Sequence, residues 1–125
     1  MNSLIDTSVL IDHGRGVSAA QTALAQAAQN GQLHSSEMVR AELLVLIRDR
    51  EIALIAPLLG VVTWHGVDRQ VAELAGQLGR QWLPSHNGID AADFIIAATA
   101  QLVDATLLTR NVKHFPMFPG LRAPY

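Results

Sequence analysis

MNSLIDTSVLID, residues 1–12, changes character at its sixth position. Met1 to Ile5 is a short apolar run that reads as a buried first strand. Asp6-Thr7-Ser8 then offers three side chains of the kind that cap helices. Val9, Leu10 and Ile11 begin that helix, which is expected to stop near Gly14 and Gly16. The stretch is thus a strand feeding a helix, with Asp6 at the carboxyl end of the strand.

The same alternation continues along the chain. Ser18 followed by Gln21 is a capping-box pattern ahead of an Ala-rich helix ending at Asn30-Gly31. Gln32 to His34 is the next strand, on the strength of Leu33. Ser35 or Ser36 caps a helix carrying Met38, Val39, Leu43, Leu46 and Ile47 at helical spacing. Arg48 to Glu51 marks a turn or a helix junction, and a further helix runs to about Leu59, bent or ended by Pro57. Val61 to Trp64, β-branched and aromatic, reads as a strand. Asp68 caps the clearest helix, with Val71, Leu74, Ala75, Leu78 and Trp82 on one face. Leu83 to Gly88 is a loop by composition. Ile89 to Val103 is a helix almost free of charge after its first turn, so it is expected to be buried on several sides, and Thr106 to Thr109 is a strand. Val112 to Tyr125 either wraps the surface or adds an edge strand. This order predicts a single α/β domain over residues 1–125, with a parallel sheet covered on both faces. Ligands of such sheets bind at the carboxyl ends of the strands.

Composition narrows the function. The 125 residues are 50% hydrophobic and 16% charged, which excludes a disordered polyelectrolyte. Nine Lys and Arg against eleven Asp and Glu, a net charge of -2, argue against a broad basic surface for nucleic acid. With no cysteine, disulfides, thiolate metal sites and Cys nucleophiles are excluded, and a cytoplasmic protein is expected. The longest apolar run, Ile52 to Trp64, contains Pro57 and Gly60 and falls short of the roughly 20 residues of a membrane span. There is no Gly-rich phosphate loop and no G-x-S-x-G elbow. No histidine is followed by another within five residues, so zinc-like spacing is absent, and His13, His34, His65, His86 and His114 are expected in loops or at the surface.

Four acids stand out. Asp6 is either an N-cap or a carboxylate projecting into the crevice above the sheet. Glu42 shares a helix face with Met38, Val39 and Leu46, so it needs an Arg or a cation beside it. Asp90 and Asp93 are three apart on one side of a helix; Asp90 suits the cap, whereas Asp93 lies among Ile89, Ile96 and Ala97 and needs a partner. Glu37 is free to point to water. Carboxylates on three separated elements suit a hard divalent cation, Mg2+ or Mn2+.

LIDTSVLID (Leu4 to Asp12), SEMVRAEL (Ser36 to Leu43), DFIIAATA (Asp93 to Ala100) and LLTRNVKHFPMFPGL (Leu107 to Leu121) stand in an order that resembles the PIN-domain ribonucleases, specifically the VapC-type toxins of bacterial toxin–antitoxin pairs. The resemblance runs essentially the full length. It implies a three-layer α/β/α domain around a parallel sheet of four to five strands. It also implies that Asp6, Glu42 and Asp93 are the catalytic, metal-binding carboxylates, with Asp90 supporting. Thr7 and Ser8 would orient water or metal beside Asp6, and Thr109 and Asn111 would line the same crevice. Many relatives carry an Asp where Asn111 stands, and others where His114 stands, so the usual fourth carboxylate is missing here.

The implied activity is metal-assisted hydrolysis of RNA phosphodiester bonds, leaving a 5′-phosphate and a 3′-hydroxyl. The implied substrate is an RNA with an exposed single-stranded loop, such as a tRNA or rRNA. Arg110 and Lys113 are the candidate RNA contacts, with Arg15 a further one; eight of the nine basic residues are Arg, which suits bidentate phosphate contacts. Trp64 and Trp82 lie in core-like patterns. The resemblance further implies a homodimer and a cognate VapB-type antitoxin, with Ile52 to Leu59 and the early helices as contact surfaces. Two other readings stand beside this one. A catalytically weak PIN scaffold is suggested by Asn111 and His114. A phospho-acceptor receiver is suggested by Thr109 and Lys113, but its first strand should end in neighbouring acids, and only Asp6 is there.

Overall fold

Ser3–Ile5 is buried at every position and forms the first of four short strands in a computed structural model that describes residues 1–125. The strands are β1 (Ser3–Ile5), β2 (Leu33–Ser36), β3 (Thr63–His65) and β4 (Thr106–Leu108), all parallel in the order β3-β2-β1-β4. Six helices connect them: α1 (Thr7–Gly14), α2 (Ser18–Asn30), α3 (Glu37–Leu46), α4 (Asp49–Val61), α5 (Arg69–Trp82) and α6 (Ala91–Leu102). They cover both faces of the sheet in a three-layer α/β/α arrangement. Helix α1 packs on α2, α3 and α4, α5 packs on α6, and α3 and α6 both meet β2. Leu4, Ile5, Val9, Leu10, Val39, Leu43, Ile96 and Leu107 form the centre of the core.

Register fixes where the chemistry collects. Leu4 pairs with His34 on one side and Leu107 on the other, so β1 is the central strand. The chain order runs outward to β2 on one side and to β4 on the other, which makes the carboxyl ends of β1 and β4 a topological switch point. Asp6 follows β1 there, its N–H bonded to the carbonyl of Leu108 at 2.9 Å.

Several local expectations shift. Helix α1 begins at Thr7, directly after Asp6. Both serines after His34 belong to β2: Ser35 Oγ donates to the Ile5 carbonyl at 2.7 Å, and Ser36 caps α3 by accepting from Met38 N–H at 3.0 Å. Pro57 neither ends nor divides α4, which runs on to Val61, so the third strand starts at Thr63 and not at Val61. The final segment adds no strand. A single 3-10 turn at Val112–His114 leads into an irregular tail whose Phe115 and Met117 are buried.

The histidines depart most from expectation. His34 is buried on β2, and its Nδ1 lies 2.8 Å from Nε2 of His65 on the neighbouring β3. His13 sits within α1 with its Nδ1 buried, and burial lowers the pKa of both His13 and His34. His86, in a loop beside Ser85, and His114, in the 3-10 turn with its side chain 42% exposed, are of the expected kind. Short strands leave a His on one face of the pleat, where the core takes it in.

Candidate active site

Asp6 is 3% exposed, and its side chain makes no cap bond to α1. Its Oδ2 instead accepts from Ser8 Oγ at 3.0 Å and from Thr109 Oγ1 at 2.6 Å. Thr109, just past β4, is wholly buried and also accepts from Asn111 N–H at 2.9 Å. Asp6 Oδ1 has no protein donor. Of the two readings of Asp6, the crevice carboxylate is the one its hydrogen bonds support.

Glu42 enters from α3, and its Oε1 accepts from Thr7 Oγ1 at 2.7 Å. No arginine neutralises it: Arg40 pairs with Glu37 and lies 4.1 Å over the Trp64 ring. Burial raises the Glu42 pKa above the ordinary value, the Thr7 bond opposes that, and the charges of Asp6 and Asp90 add to the rise. Asp90 and Asp93 form a reciprocal cap at the start of α6, Asp93 N–H to Asp90 Oδ1 at 3.0 Å and Asp90 N–H to Asp93 Oδ2 at 3.3 Å. Asp93 is pushed up to about 6, chiefly by burial and then by the Asp90 charge, against the Asp90 backbone bond and His114. The partner that Asp93 required is His114, whose Nδ1 is 3.1 Å from Asp93 Oδ2.

Asp6, Glu42 and Asp93 line one open cavity of about 450 Å³, together with Thr7, Ser8, Asp12, Arg110 and Asn111. Asp90 stays outside it as the cap. Arg15 is elsewhere, 3.5 Å from Glu51 in a separate hollow with Arg48 and Arg50, and Lys113 belongs to the 3-10 turn outside the cavity. A larger hollow between α5 and α6 is apolar and holds no acid. Two site residues were not singled out from the sequence. Asp12 lies one turn beyond Ser8 on α1, a spacing that carried the signal. Tyr125 carried none; its hydroxyl donates to Asp12 across the whole length of the chain.

The chemistry of this set fits a hard cation. Its donors are carboxylate oxygens, two of them at raised pKa, and no lysine or arginine pairs with Asp6, Glu42 or Asp93. In the present side-chain arrangement no three His, Asp or Glu groups converge to ligate one ion together.

The fold agrees with the comparisons to known proteins. The PIN domain family matches residues 3–116, and the chain belongs to that family. It is 48% identical to Ribonuclease VapC19 of Mycobacterium tuberculosis over 98% of both chains, and 40% identical to Ribonuclease VapC10 of the same organism over 98% of this chain and 92% of that one. Among solved structures, a toxin–antitoxin complex from Klebsiella pneumoniae superposes with a TM-score of 0.78 at 29% identity, covering 98% of each chain. VapBC2 from Rickettsia felis, bound to a DNA fragment of its promoter, shares the fold with a TM-score of 0.79 at 21% identity, covering 98% of this chain and 97% of that one. No helix is long and apolar enough to cross a membrane.

Proposed function

We propose that the chain is an endoribonuclease, the toxin of a VapBC-type pair, dependent on Mg2+ or Mn2+. The observation that carries this reading is the placing of Asp6, Glu42 and Asp93 on the lining of one cavity with no lysine or arginine pairing any of them. The full-length likeness to proteins named ribonucleases supports it. Bound between these carboxylates, a divalent ion would supply an activated water and neutralise charge on the leaving oxygen.

The chain's own groups do the positioning. Ser8 and Thr109 fix one oxygen of Asp6 and leave the other free, and Thr7 does the same for Glu42. Asn111 and Arg110 line the cavity and offer donors to RNA phosphates, with Lys113 close by in sequence. No cysteine is present to act as a nucleophile. The substrate is an RNA with a single-stranded loop, the partner a VapB-type antitoxin, and the assembly a homodimer. Toxin–antitoxin complexes among the structural neighbours support the antitoxin.

Asp6→Asn or Glu42→Gln is expected to abolish cleavage of loop-bearing RNA, and chelation by EDTA to do so reversibly. Cleavage that persists in EDTA, or in either variant, overturns the reading. The contact of His114 with Asp93 favours a second reading, a PIN scaffold with little turnover. Wild-type protein that binds such RNA without cutting it would establish that one.

A further inference from the structure

Asp12 is an acid of the cavity that the metal chemistry does not use. Its Oδ2 accepts from two donors at once, Arg110 Nη1 at 3.1 Å and the Tyr125 hydroxyl at 2.7 Å. The Tyr125 ring also lies beside the guanidinium, 5.3 Å from ring centroid to Cζ. The backbone of Arg110 is tied separately, its N–H donating to Ser8 Oγ at 3.1 Å. One guanidinium is therefore located by a carboxylate, a ring and its own main chain. Yet the Arg110 side chain remains 52% exposed, and only Nη1 has a protein acceptor.

A clasp serving only to tie down the tail would need the Tyr125–Asp12 bond and nothing more. Here both donors converge on one oxygen, and the cation they locate lines the same cavity as Asp6, Glu42 and Asp93. A cation that must meet a phosphate at the edge of an acidic pocket faces a competing attraction into that pocket. Pairing with Asp12 satisfies one edge of the guanidinium and holds it back, leaving the other N–H groups for a ligand oxygen. Burial, the bond to Asp12 and its charge all raise the Tyr125 pKa, so the hydroxyl stays a donor across the working pH range.

We propose that Asp12 and Tyr125 are positioning residues that hold Arg110 at the mouth of the acidic cavity to receive a backbone phosphate of the incoming RNA. The inference rests on the nuclease reading above and adds two residues to it. Arg110 makes the contact; Asp12 and Tyr125 act through Arg110.

The experiment is steady-state cleavage of a fluorophore-labelled RNA hairpin with a single-stranded loop, in Mn2+ and at several salt concentrations. Wild type, Tyr125→Phe, Arg110→Ala and the double variant are compared, with thermal midpoints recorded for each. Loss of one positioning hydrogen bond is expected to raise KM about twofold to tenfold in Tyr125→Phe, with kcat changed little. Arg110→Ala raises KM further and weakens the salt dependence by about 0.7 in the log–log slope, the amount for one single-strand phosphate contact. Tyr125→Phe keeps the wild-type slope, and in the Arg110→Ala background it costs nothing more. An unchanged KM in Tyr125→Phe, or equal penalties in both backgrounds, overturns the positioning role and leaves the nuclease reading standing. Failure of the wild type to cleave overturns both.

Discussion

The Thr109 hydroxyl has no access to solvent and two obligations, a donated bond to Asp6 Oδ2 and an accepted bond from Asn111 N–H. Valine has the same shape and meets neither. Thr109→Val therefore leaves a buried carboxylate short of a donor, at a cost of about 1–3 kcal/mol in unfolding free energy. If Asp6 binds the metal as proposed, losing the group that orients it lowers activity by about 10–100-fold. Urea titration and a cleavage assay check the two effects. Asp93 has its own signature. With its carboxyl raised from 3.8 to about 6, the folded state holds more protons than the unfolded state between those values. The group's contribution to stability consequently falls as pH rises through that window and stays lost above it. A divalent cation reverses this only where the carboxylate is charged. Thermal melts with and without Mn2+ should show a larger stabilisation at pH 7.5 than at pH 5, and Asp93→Asn should shrink the difference to the part that Glu42 carries. Equal shifts at both pH values would discount Asp93 as a ligand. Asp6, Glu42 and Asp93 were legible because a charge on an apolar face or at a strand end demands an explanation. His114 was marked only as standing where relatives carry an Asp, not as the partner of Asp93, and Tyr125 was not marked at all, since its partner is far away in sequence.

At the scale of elements, the turn from α2 into β2 is as constrained as any strand. A Cβ on Gly31 would lie 2.3 Å from the carbonyl oxygen of Met1, which is backbone and has little room to yield. Gln32 N–H on Asn2 Oδ1 at 2.9 Å and Ser3 N–H on the Gln32 carbonyl at 3.0 Å hold the two segments together. Gly31→Ala is expected to destabilise by about 1–3 kcal/mol. Gly60, in the last turns of α4 with open space around its Cβ, should show the opposite sign. Gly60→Ala gains up to about 1 kcal/mol of helix propensity, and one urea series tests both. Helix α5 was legible in the sequence because Val71, Ala75 and Leu78 recur on one buried stripe. The start of β3 was not. Val61 and Val62 have strand propensity, but α4 continues through the exposed Val61 with Val62 as its C-cap, so the preference of two residues does not start the strand. Pro57 misled as well: it stands exposed in α4, and the helix runs through it to Val61 with one backbone bond fewer.

On the whole molecule, the parallel order β3-β2-β1-β4 puts the acids at one end, and that much follows from strands alternating with helices. What alternation does not disclose is which apolar surface the fold leaves uncovered. The end of α3 exposes Leu44, Val45 and Leu46 in succession, and Ile52 and Leu54 on α4 are exposed too. Single exposed apolar residues are ordinary, whereas three in a row beside the acidic cavity form a surface suited to a partner. Leu46 already lines that cavity, so a chain covering this surface would also reach the acids. The proposed antitoxin is the partner that gains most from that geometry, because docking and inhibition would then be one event. Val45, 82% exposed and outside the acidic cavity, separates the two properties. A charge there is expected to weaken the toxin–antitoxin complex at least tenfold, about 1.4 kcal/mol, while RNA cleavage by the toxin alone stays within about twofold of wild type. Co-purification followed by titration calorimetry on Val45→Glu measures the first, and the hairpin assay measures the second. Gln70→Glu places the same charge on the exposed side of α5 and should leave the complex intact. If the two variants bind antitoxin alike, the end of α3 is not the docking surface.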